Sequence, residues 1–395
     1  MSHAPATAAG GPLWTRTTVT LLLIALVGGA LAVWRFAAGL GATTGLSDGY
    51  PWGIWIAFDV VTGTALACGG YAMALMVYIF NRGQYHPLVR PAILTSALGY
   101  TIAAGAIVLD VGRPWLIYRI PISVGKWNLD SALLEVALCV MAYVVVLWIE
   151  MAPAFLEKIE AAGGAMAGFA RSANKVISGS LIWIIALGVL LPTMHQSSLG
   201  SVIMLAGPRL HPLYHTALLP LLFLVSCIAM GYAVVVMEST LSSRAFGRAR
   251  EDAMLKRLTG VMAMILLLYV AIRLVDIVVQ GKAGLLFSSG LLSVLFWLEI
   301  VLFTGPALMF LARRDKLSIG CLFRGSGAIL LAGSLYRFDA YLVAFQPSEG
   351  WTYFPTIPEI VITVGLVALE ILVFILLVKR FPILGGTSAP AAEQR

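Results

Sequence analysis

Charged residues are scarce in this sequence. Lys, Arg, Asp and Glu together make up 11% of the 395 residues, whereas 60% of the residues are hydrophobic. A soluble globular protein needs more polar surface than this to cover its exterior. The scarcity of charge therefore excludes that class, and the mean hydropathy of +0.94 indicates lipid as the solvent. The net charge of +7 is better explained by basic loops at a membrane surface than by nucleic-acid binding.

Cysteine is also scarce, and its spacing excludes several cofactors. The four cysteines are Cys68, Cys139, Cys227 and Cys321, and each lies alone in an apolar run. Iron–sulfur clusters and zinc sites usually need closely spaced pairs such as CxxC. Single cysteines in apolar surroundings are usually small core residues. The sequence therefore predicts no metal site in this chain.

Long apolar runs dominate what is present. About 20 apolar residues cross the hydrocarbon core of a membrane as a helix. Ten runs are long enough, at approximately 17–40, 54–80, 92–112, 130–152, 177–195, 213–238, 258–280, 286–311, 319–344 and 356–379. The predicted fold is an all-α integral membrane protein of about ten helices. Residues 17–380 form one polytopic membrane domain, and residues 1–16 and 381–395 form short tails.

The basic residues sort by side of the membrane. Seventeen of the 26 Lys and Arg residues fall in the two tails or in every second loop, and five fall in the intervening loops. Cytoplasmic loops carry this excess of positive charge. We therefore expect a multi-pass protein of the bacterial inner membrane with both termini in the cytoplasm. This orientation also favours an even number of spans.

In this orientation most ionisable residues within the spans lie towards the outer side. Charged groups in lipid are costly and often mark a binding site or a proton path. Asp59 and Glu135 are the strongest candidates, because each lies in a strongly apolar stretch with no adjacent cation in sequence. A thinner series continues inwards through Tyr100, Glu150, Glu238, Glu299 and Glu370. The pattern favours a site near the outer leaflet with a proton path to the cytoplasm.

Other charged residues have simpler explanations. Arg273 with Asp276, and Arg337 with Asp339, are candidates for ion pairs between helices. Glu359, at the start of the last span, is expected to reach the lipid headgroups.

The five histidines give little support for a haem. Ligation by two histidines needs a facing pair at matched depth, and no predicted span contains two. His3 and His86 fall in cytoplasmic segments, and His195 could meet His211 or His215 only at the outer boundary. The sequence therefore predicts no haem and no redox centre of the chain's own. Electrons would come from a partner and leave on a bound small molecule.

Two adjoining stretches resemble a known family. They are GLSDGYPWGIWIAFDVVTGTALACGGYAMALMVYIF, residues 45–80, and NRGQYHPLVRPAILTSALGYTIAAGAIVLDVGRPWLIYRI, residues 81–120. Both resemble the NrfD/PsrC family of integral membrane subunits that interact with quinone. Within that family they are most similar to the HybB type, the b-type cytochrome subunits of nickel–iron hydrogenase 2. The resemblance runs over most of the chain and is weakest at the tails.

The resemblance implies a function and a fold. Such subunits exchange electrons between a menaquinone or ubiquinone pool and a periplasmic ferredoxin-like iron–sulfur subunit. That iron–sulfur protein in turn binds the large and small subunits of a periplasmic [NiFe] hydrogenase. The family fold is a pair of four-helix bundles, which would leave spans nine and ten as additions. The family also implies that no haem is bound.

Quinone reduction takes two electrons and two protons. The site therefore needs an apolar slot with a few hydrogen-bond partners and a titratable group within reach. By position, the predicted quinone-binding residues are Asp59, Glu135, His195, Trp52 and Trp55. The predicted proton-transfer residues are Tyr100, Glu238, Asp276 and Glu299. Besides its protein partners, the chain should contact membrane lipid but no nucleic acid.

Three other functions stay open. The chain could serve another NrfD-type reductase, such as one for polysulfide or sulfite. It could be a secondary transporter, which also needs charges within the membrane, although no paired broken helices stand out. It could also be a passive anchor for a periplasmic enzyme. Asp59 and Glu135 argue against an anchor, because lipid-facing helices alone do not need them.

Overall fold

Ten membrane-spanning helices make up most of the protein. The computed structural model describes residues 6–248, 251–314 and 316–385. Within these residues ten helices are long and apolar enough to cross a membrane, and there is no β-strand. We number them spans 1 to 10: Arg16–Ala38, Trp55–Ile79, Gly83–Asp110, Ala132–Ala162, Leu181–Leu205, Leu219–Phe246, Asp252–Val279, Leu291–Ala312, Ile319–Val343 and Ile357–Arg380. The predicted all-α membrane fold is confirmed.

Spans 2 to 9 form two four-helix bundles. Spans 2, 3, 4 and 5 pack on one another, and so do spans 6, 7, 8 and 9. The bundles meet where span 6 packs against spans 2 and 5, and where span 9 packs against span 2. One cluster of buried aliphatic and aromatic side chains extends across this contact. The paired bundles expected from the resemblance are therefore present.

Spans 1 and 10 lie outside the bundles and pack against each other. A Cβ atom on Gly28 would lie 2.8 Å from the Cα atom of Gly365, so the two backbones approach at these glycines. Small residues permit such close contact between membrane helices. The expectation that spans nine and ten are the additions is wrong for span 9. That helix packs between spans 6 and 8, whereas span 1 is the partner of span 10.

Both chain ends lie on one face of the bundle. The Thr7 amide donates a 3.0 Å hydrogen bond to the Leu384 carbonyl, and Lys379 Nζ donates one of 2.6 Å to the Pro12 carbonyl. We call the face where span 1 begins and span 10 ends the terminal face, and the opposite one the far face. The location of the terminal face in the cytoplasm stays a prediction. Residues 386–395 of the predicted carboxyl-terminal tail lie outside the described residues.

Span 5 is longer than the sequence indicated. The predicted run ends at residue 195, but the helix extends over Leu181–Leu205 and passes through its internal proline. Ser197 Oγ donates 2.9 Å to the Thr193 carbonyl one turn earlier, so this hydroxyl group is satisfied within the helix. His195 therefore lies in the interior of a span rather than at the membrane boundary.

Three π-helical segments interrupt the spans. They are Trp55–Thr62 and Leu75–Ile79 in span 2, and Asp339–Val343 at the end of span 9. A π-turn widens the helix locally, and such turns are frequent at functional sites. Two of these segments hold a buried carboxyl group, Asp59 in the first and Asp339 in the third.

Candidate functional site

A cavity of about 790 Å³ lies between the pair formed by spans 1 and 10 and the helical core. Spans 2, 3 and 6 supply most of the opposite wall, and span 9 contributes one residue. Most lining side chains are apolar, among them Leu66, Leu98, Val234 and Phe374. Cavities of this size and character commonly take small organic molecules.

Three carboxyl groups interrupt the apolar lining: those of Asp59, Glu370 and Glu238. Asp59 is 4% exposed, and its Oδ2 accepts a 2.7 Å hydrogen bond from Thr363 Oγ1. Glu238 Oε2 accepts one of 3.0 Å from Thr95 Oγ1. Within the described part of the chain none of the three forms a salt bridge. A carboxyl group in a membrane domain without a paired cation is a candidate for function.

Asp59 is the only predicted quinone ligand that lines this cavity. The two neighbouring tryptophans have other partners. Trp52 Nε1 donates 2.7 Å to the Tyr341 carbonyl, and Trp55 Nε1 donates 3.3 Å to the Glu359 carbonyl. Buried indole groups normally need such a partner. Both tryptophans thereby attach the start of span 2 to spans 9 and 10.

Glu135 and Asp276 lie apart from the cavity. Glu135 is half-buried in the first turn of span 4, where the positive end of the helix dipole favours a carboxylate. Asp276 is half-buried on span 7, and its Oδ1 accepts 2.7 Å from Gln280 Nε2 one turn later. The functions assigned to these two residues stay predictions.

A second polar cluster surrounds His195 inside the first bundle. Tyr100 Oη is 3.3 Å from His195 Nδ1, and Gln196 Nε2 donates to Tyr100 Oη at 3.3 Å and to Thr64 Oγ1 at 3.1 Å. All four side chains are buried, and His195 Nε2 has no hydrogen-bond partner. His195, which was predicted to bind quinone, and Tyr100, which was predicted to transfer protons, thus share one hydrogen-bonded network.

The His195 cluster and the cavity lie on opposite sides of spans 2 and 3. Ala67 and Gly99 line the cavity, whereas the next residues, Cys68 and Tyr100, face the cluster with Sγ and Oη 3.7 Å apart. A Cβ atom on Gly99 would lie 2.6 Å from Ala67 Cβ, so the two helices touch at this point. The two sites are therefore neighbours with one layer of helix between them.

The second bundle encloses a buried ion pair. Arg273 Nε lies 3.4 Å from Glu299 Oε1, which also accepts a 2.8 Å hydrogen bond from Tyr269 Oη. The guanidinium group also stacks over the ring of Tyr336, 4.5 Å from its centroid. The sequence suggested Asp276 as the partner of Arg273, but Asp276 bonds to its own helix. Glu299, a predicted proton carrier, pairs with this arginine, and its function in proton transfer stays a prediction.

Arg337 joins the two bundles and was not predicted to do so. It is fully buried and donates to the Val61 carbonyl at 3.1 Å and to the Phe223 carbonyl at 2.6 Å. An ion pair with Asp339 was the expectation, whereas the observed partners are these two carbonyls of spans 2 and 6 and, at 3.4 Å, Ser226 Oγ. Asp339 Oδ2 is buried without a hydrogen-bond partner. No sequence signal identifies carbonyl partners, because every residue carries one.

Comparison with known proteins identifies the family. The family model described as "Polysulphide reductase, NrfD" matches residues 42–344, which include spans 2 to 9. The chain belongs to the NrfD family. Spans 1 and 10 lie outside the matched region, so the NrfD match covers both bundles and leaves out the pair that closes the cavity.

Several relatives carry functional names. The chain is 38% identical to the "Probable Ni/Fe-hydrogenase 2 b-type cytochrome subunit" of Escherichia coli, over 97% of this chain and 96% of the relative. It is 27% identical to the "Menaquinone reductase, integral membrane subunit" of Nitratidesulfovibrio vulgaris, over 61% and 58%. It is 24% identical to a selenate reductase subunit of Mesobacillus selenatarsenatis, over 92% and 93%. The names of these relatives thus refer to several different redox enzymes.

The expectation that no haem is bound is contradicted by the name of one relative. The Escherichia coli protein is named a b-type cytochrome subunit, and this name implies a haem. Among the described residues His195 is the histidine in the interior of a span, and its unpartnered Nε2 is the nitrogen there that could ligate iron. A second histidine does not face it, since His86 lies in the first turns of span 3 at the terminal face, and His211 and His215 lie in the loop between spans 5 and 6. The described residues therefore do not supply a bis-histidine site, and no step below passes through a haem.

Proposed function

We propose that this chain is the quinone-reactive membrane subunit of a periplasmic [NiFe] hydrogenase complex in the bacterial inner membrane. It passes electrons between a ferredoxin-like iron–sulfur subunit and the menaquinone or ubiquinone pool. Two relatives support this function by name, the Ni/Fe-hydrogenase 2 subunit over nearly the whole chain and the menaquinone reductase subunit over part of it.

The observation that carries the proposal is the apolar cavity with Asp59 in its wall. A quinone is a flat ring with two carbonyl oxygens and a long apolar tail. A protonated Asp59 offers a hydrogen-bond donor for one carbonyl oxygen, while Leu66 and Ile102 belong to the apolar lining that suits the ring. A volume of about 790 Å³ lies within the usual range for organic ligands.

The reaction makes modest chemical demands on the chain. The quinone ring accepts two electrons from the partner subunit, and each carbonyl oxygen gains one proton, which gives the hydroquinone. A protonated Asp59 is suited to donate a proton to the nearer oxygen. Of the residues predicted to transfer protons, Glu238 lines the same cavity. Proton uptake from the terminal face through Glu238 would couple the reaction to energy conservation.

The proposal also assigns a side to each partner. Span 2 begins at the far face, and Asp59 lies in the first turns of that span. An iron–sulfur subunit docked on the far face would therefore have the shortest route to this site. If the terminal face is cytoplasmic, as the basic loops indicate, that subunit and the hydrogenase are periplasmic.

A second candidate is the membrane subunit of another NrfD-type reductase. The similarity to a selenate reductase subunit over 92% of this chain favours it, and polysulfide or sulfite reductases belong to the same class of complex. The quinone chemistry would be the same, and only the terminal enzyme would differ. Purifying the chain from its native membrane and identifying the co-purifying enzyme separates the two candidates.

The direct test is hydrogen-dependent reduction of a menaquinone analogue by the purified complex. We expect Asp59→Asn to lower this rate at least about tenfold, because the amide cannot donate the proton. Glu349→Gln makes the same chemical change on an exposed residue of the far face and should leave the rate unchanged. Hydrogen-dependent reduction of benzyl viologen verifies that the hydrogenase is intact. A wild-type rate in Asp59→Asn would overturn the site, and no quinone reduction by the wild type would overturn the function.

A further inference from the structure

Spans 1 and 10 cover part of a groove on the helical core and form the second wall of the cavity. The core side of the cavity is formed by spans 2, 3 and 6, and the other side by Thr18 of span 1 and Val367, Glu370 and Ile371 of span 10. Both wall helices lie outside residues 42–344, the region that the family match covers. The wall thus lies outside the region that the family model matches, although the Escherichia coli relative aligns with 97% of this chain.

The three cavity carboxyl groups lie at successive depths. Asp59 is in the first turns of span 2, near the far face. Glu370 is near the middle of span 10. Glu238 is in the last third of span 6, towards the terminal face. Thr15, Thr17 and Lys379 line the cavity at the terminal face itself. The cavity therefore follows the carboxyl groups from one side of the membrane domain towards the other.

The helices that hold these groups also determine their spacing. Glu238 bonds to Thr95, whereas Glu370 lies beside Gly99, where a Cβ atom would be 3.2 Å from Glu370 Oε1. Thr95 and Gly99 are one turn apart on span 3, which is about 6 Å along the axis. Asp59 bonds to Thr363, two turns before Glu370 on span 10, or about 10 Å. Among the described residues no hydrogen bond joins any two of the three carboxyl groups, so a proton needs an intermediate to pass between them.

Water in the cavity would bridge these distances. A buried water needs room and polar partners, and each molecule occupies about 30 Å³ of liquid volume. A cavity of about 790 Å³ has ample room between the carboxyl groups. Glu238 Oε1 is buried without a hydrogen-bond partner, as expected for an atom whose partner is a water molecule.

We propose that Glu370 is the intermediate proton carrier on a hydrated path that runs from Glu238 to Asp59. Glu370 takes a proton from water on the Glu238 side and releases one to water on the Asp59 side, so its own protonation is unchanged after each transfer. Two such transfers accompany the two electrons that the quinone receives from the partner subunit. This inference rests on the proposed function, because it supplies the protons for quinone reduction.

The path enters from the terminal face because the cavity reaches that face. The alternative to water in the cavity is an apolar chain, such as a quinone tail, that fills the space between Glu238 and Asp59. In that case Glu370 would be a buried polar group of no use to the reaction, and its removal would not slow turnover. Water and an apolar chain in the cavity therefore predict opposite results for the uncharged variant Glu370→Gln.

The test uses the whole complex reconstituted in liposomes with hydrogen and a menaquinone analogue, and with a pH-sensitive dye on the terminal-face side. Glu370→Gln should lower quinone reduction about tenfold or more and abolish proton uptake on that side. Glu370→Asp, which keeps the carboxyl group, should restore at least about half of the rate. Glu349→Gln is the matched control with no expected change. Benzyl viologen reduction should be equal in all variants.

A solvent isotope measurement separates proton delivery from a structural defect. If Glu370 carries protons, the deuterium isotope effect on quinone reduction should rise in Glu370→Gln, because proton delivery becomes rate-limiting. A wild-type rate with wild-type proton uptake in Glu370→Gln would overturn the inference, as would a slower rate with an unchanged isotope effect. If the wild type itself does not reduce quinone, the proposed function fails instead.

Discussion

Glu299 in the second bundle and Glu370 in the wall of the cavity are the same residue type near the middle of a span, yet their surroundings are opposite. Glu299 is fully buried, pairs with Arg273 and accepts a hydrogen bond from Tyr269. Glu370 faces a cavity, and no cation of the described residues pairs with it. A carboxylate that is paired and hydrogen-bonded holds helices together, whereas one that lacks such partners and lies next to open space can exchange a proton. The comparison predicts that the first type matters for stability and the second for turnover.

The largest expected effect on stability comes from breaking the ion pair between Arg273 and Glu299. Arg273→Met should destabilise the protein by about 3–5 kcal/mol, because it leaves Glu299 buried without its cation. Thermal unfolding of the purified chain in detergent measures this loss. The double variant Arg273→Met with Glu299→Met removes both charges and should regain most of the lost stability. A single variant as stable as the wild type would show that the pair does not hold the second bundle together.

A smaller loss of stability is expected at Glu359. This carboxylate is fully buried and accepts hydrogen bonds from the Gly45 amide at 2.8 Å, Tyr353 Oη at 2.8 Å and the Thr356 amide at 2.9 Å. In Glu359→Gln the amide nitrogen would face a donor, so we expect a cost of about 1–3 kcal/mol. Glu349→Gln, at an exposed residue of the far face, is the control in the same unfolding assay. Equal stability of the two variants would contradict the structural role.

The smallest effect on stability is expected at Glu238, together with a large effect on turnover. In Glu238→Gln the amide oxygen can still accept the Thr95 hydroxyl, so the cost should stay below about 1 kcal/mol. Quinone reduction should nevertheless fall about tenfold or more, because the amide cannot exchange a proton. Unfolding and quinone reduction are measured on one preparation. A stability loss as large as that of Arg273→Met would show that Glu238, like Glu299, holds helices together.

The helical architecture could be predicted because it depends on local properties of the sequence. The length of the apolar runs gave the ten spans, and the alternation of basic loops favoured the even count that the structure has. Span 5 was the exception, since its polar residues after His195 looked like a loop. Their hydroxyl groups bond back to carbonyls of the same helix, as Ser197 does to Thr193, so the helix continues.

The candidate site could be predicted only in part. Asp59 was identified from its apolar surroundings, and it does line the cavity. The position of Glu370 depends on the packing of span 10 against span 1, more than 300 residues earlier in the chain, and no local pattern reports that contact. Glu359 was interpreted as a group that reaches the headgroups, but it accepts hydrogen bonds from Gly45 and Tyr353 instead. Partners so distant in sequence become visible only in the fold.

The pairing of the chain ends has a consequence for biogenesis. Thr7 bonds to Leu384 and Lys379 bonds to Pro12, so span 1 and span 10 are joined beside the cavity at the terminal face. Synthesis proceeds from the amino terminus, and span 10 follows the nine other spans. Until span 10 leaves the ribosome, span 1 lacks the helix that it contacts most extensively, and the groove on spans 2, 3 and 6 is open to lipid. The compartment that holds Asp59 is therefore completed in the last step of membrane insertion.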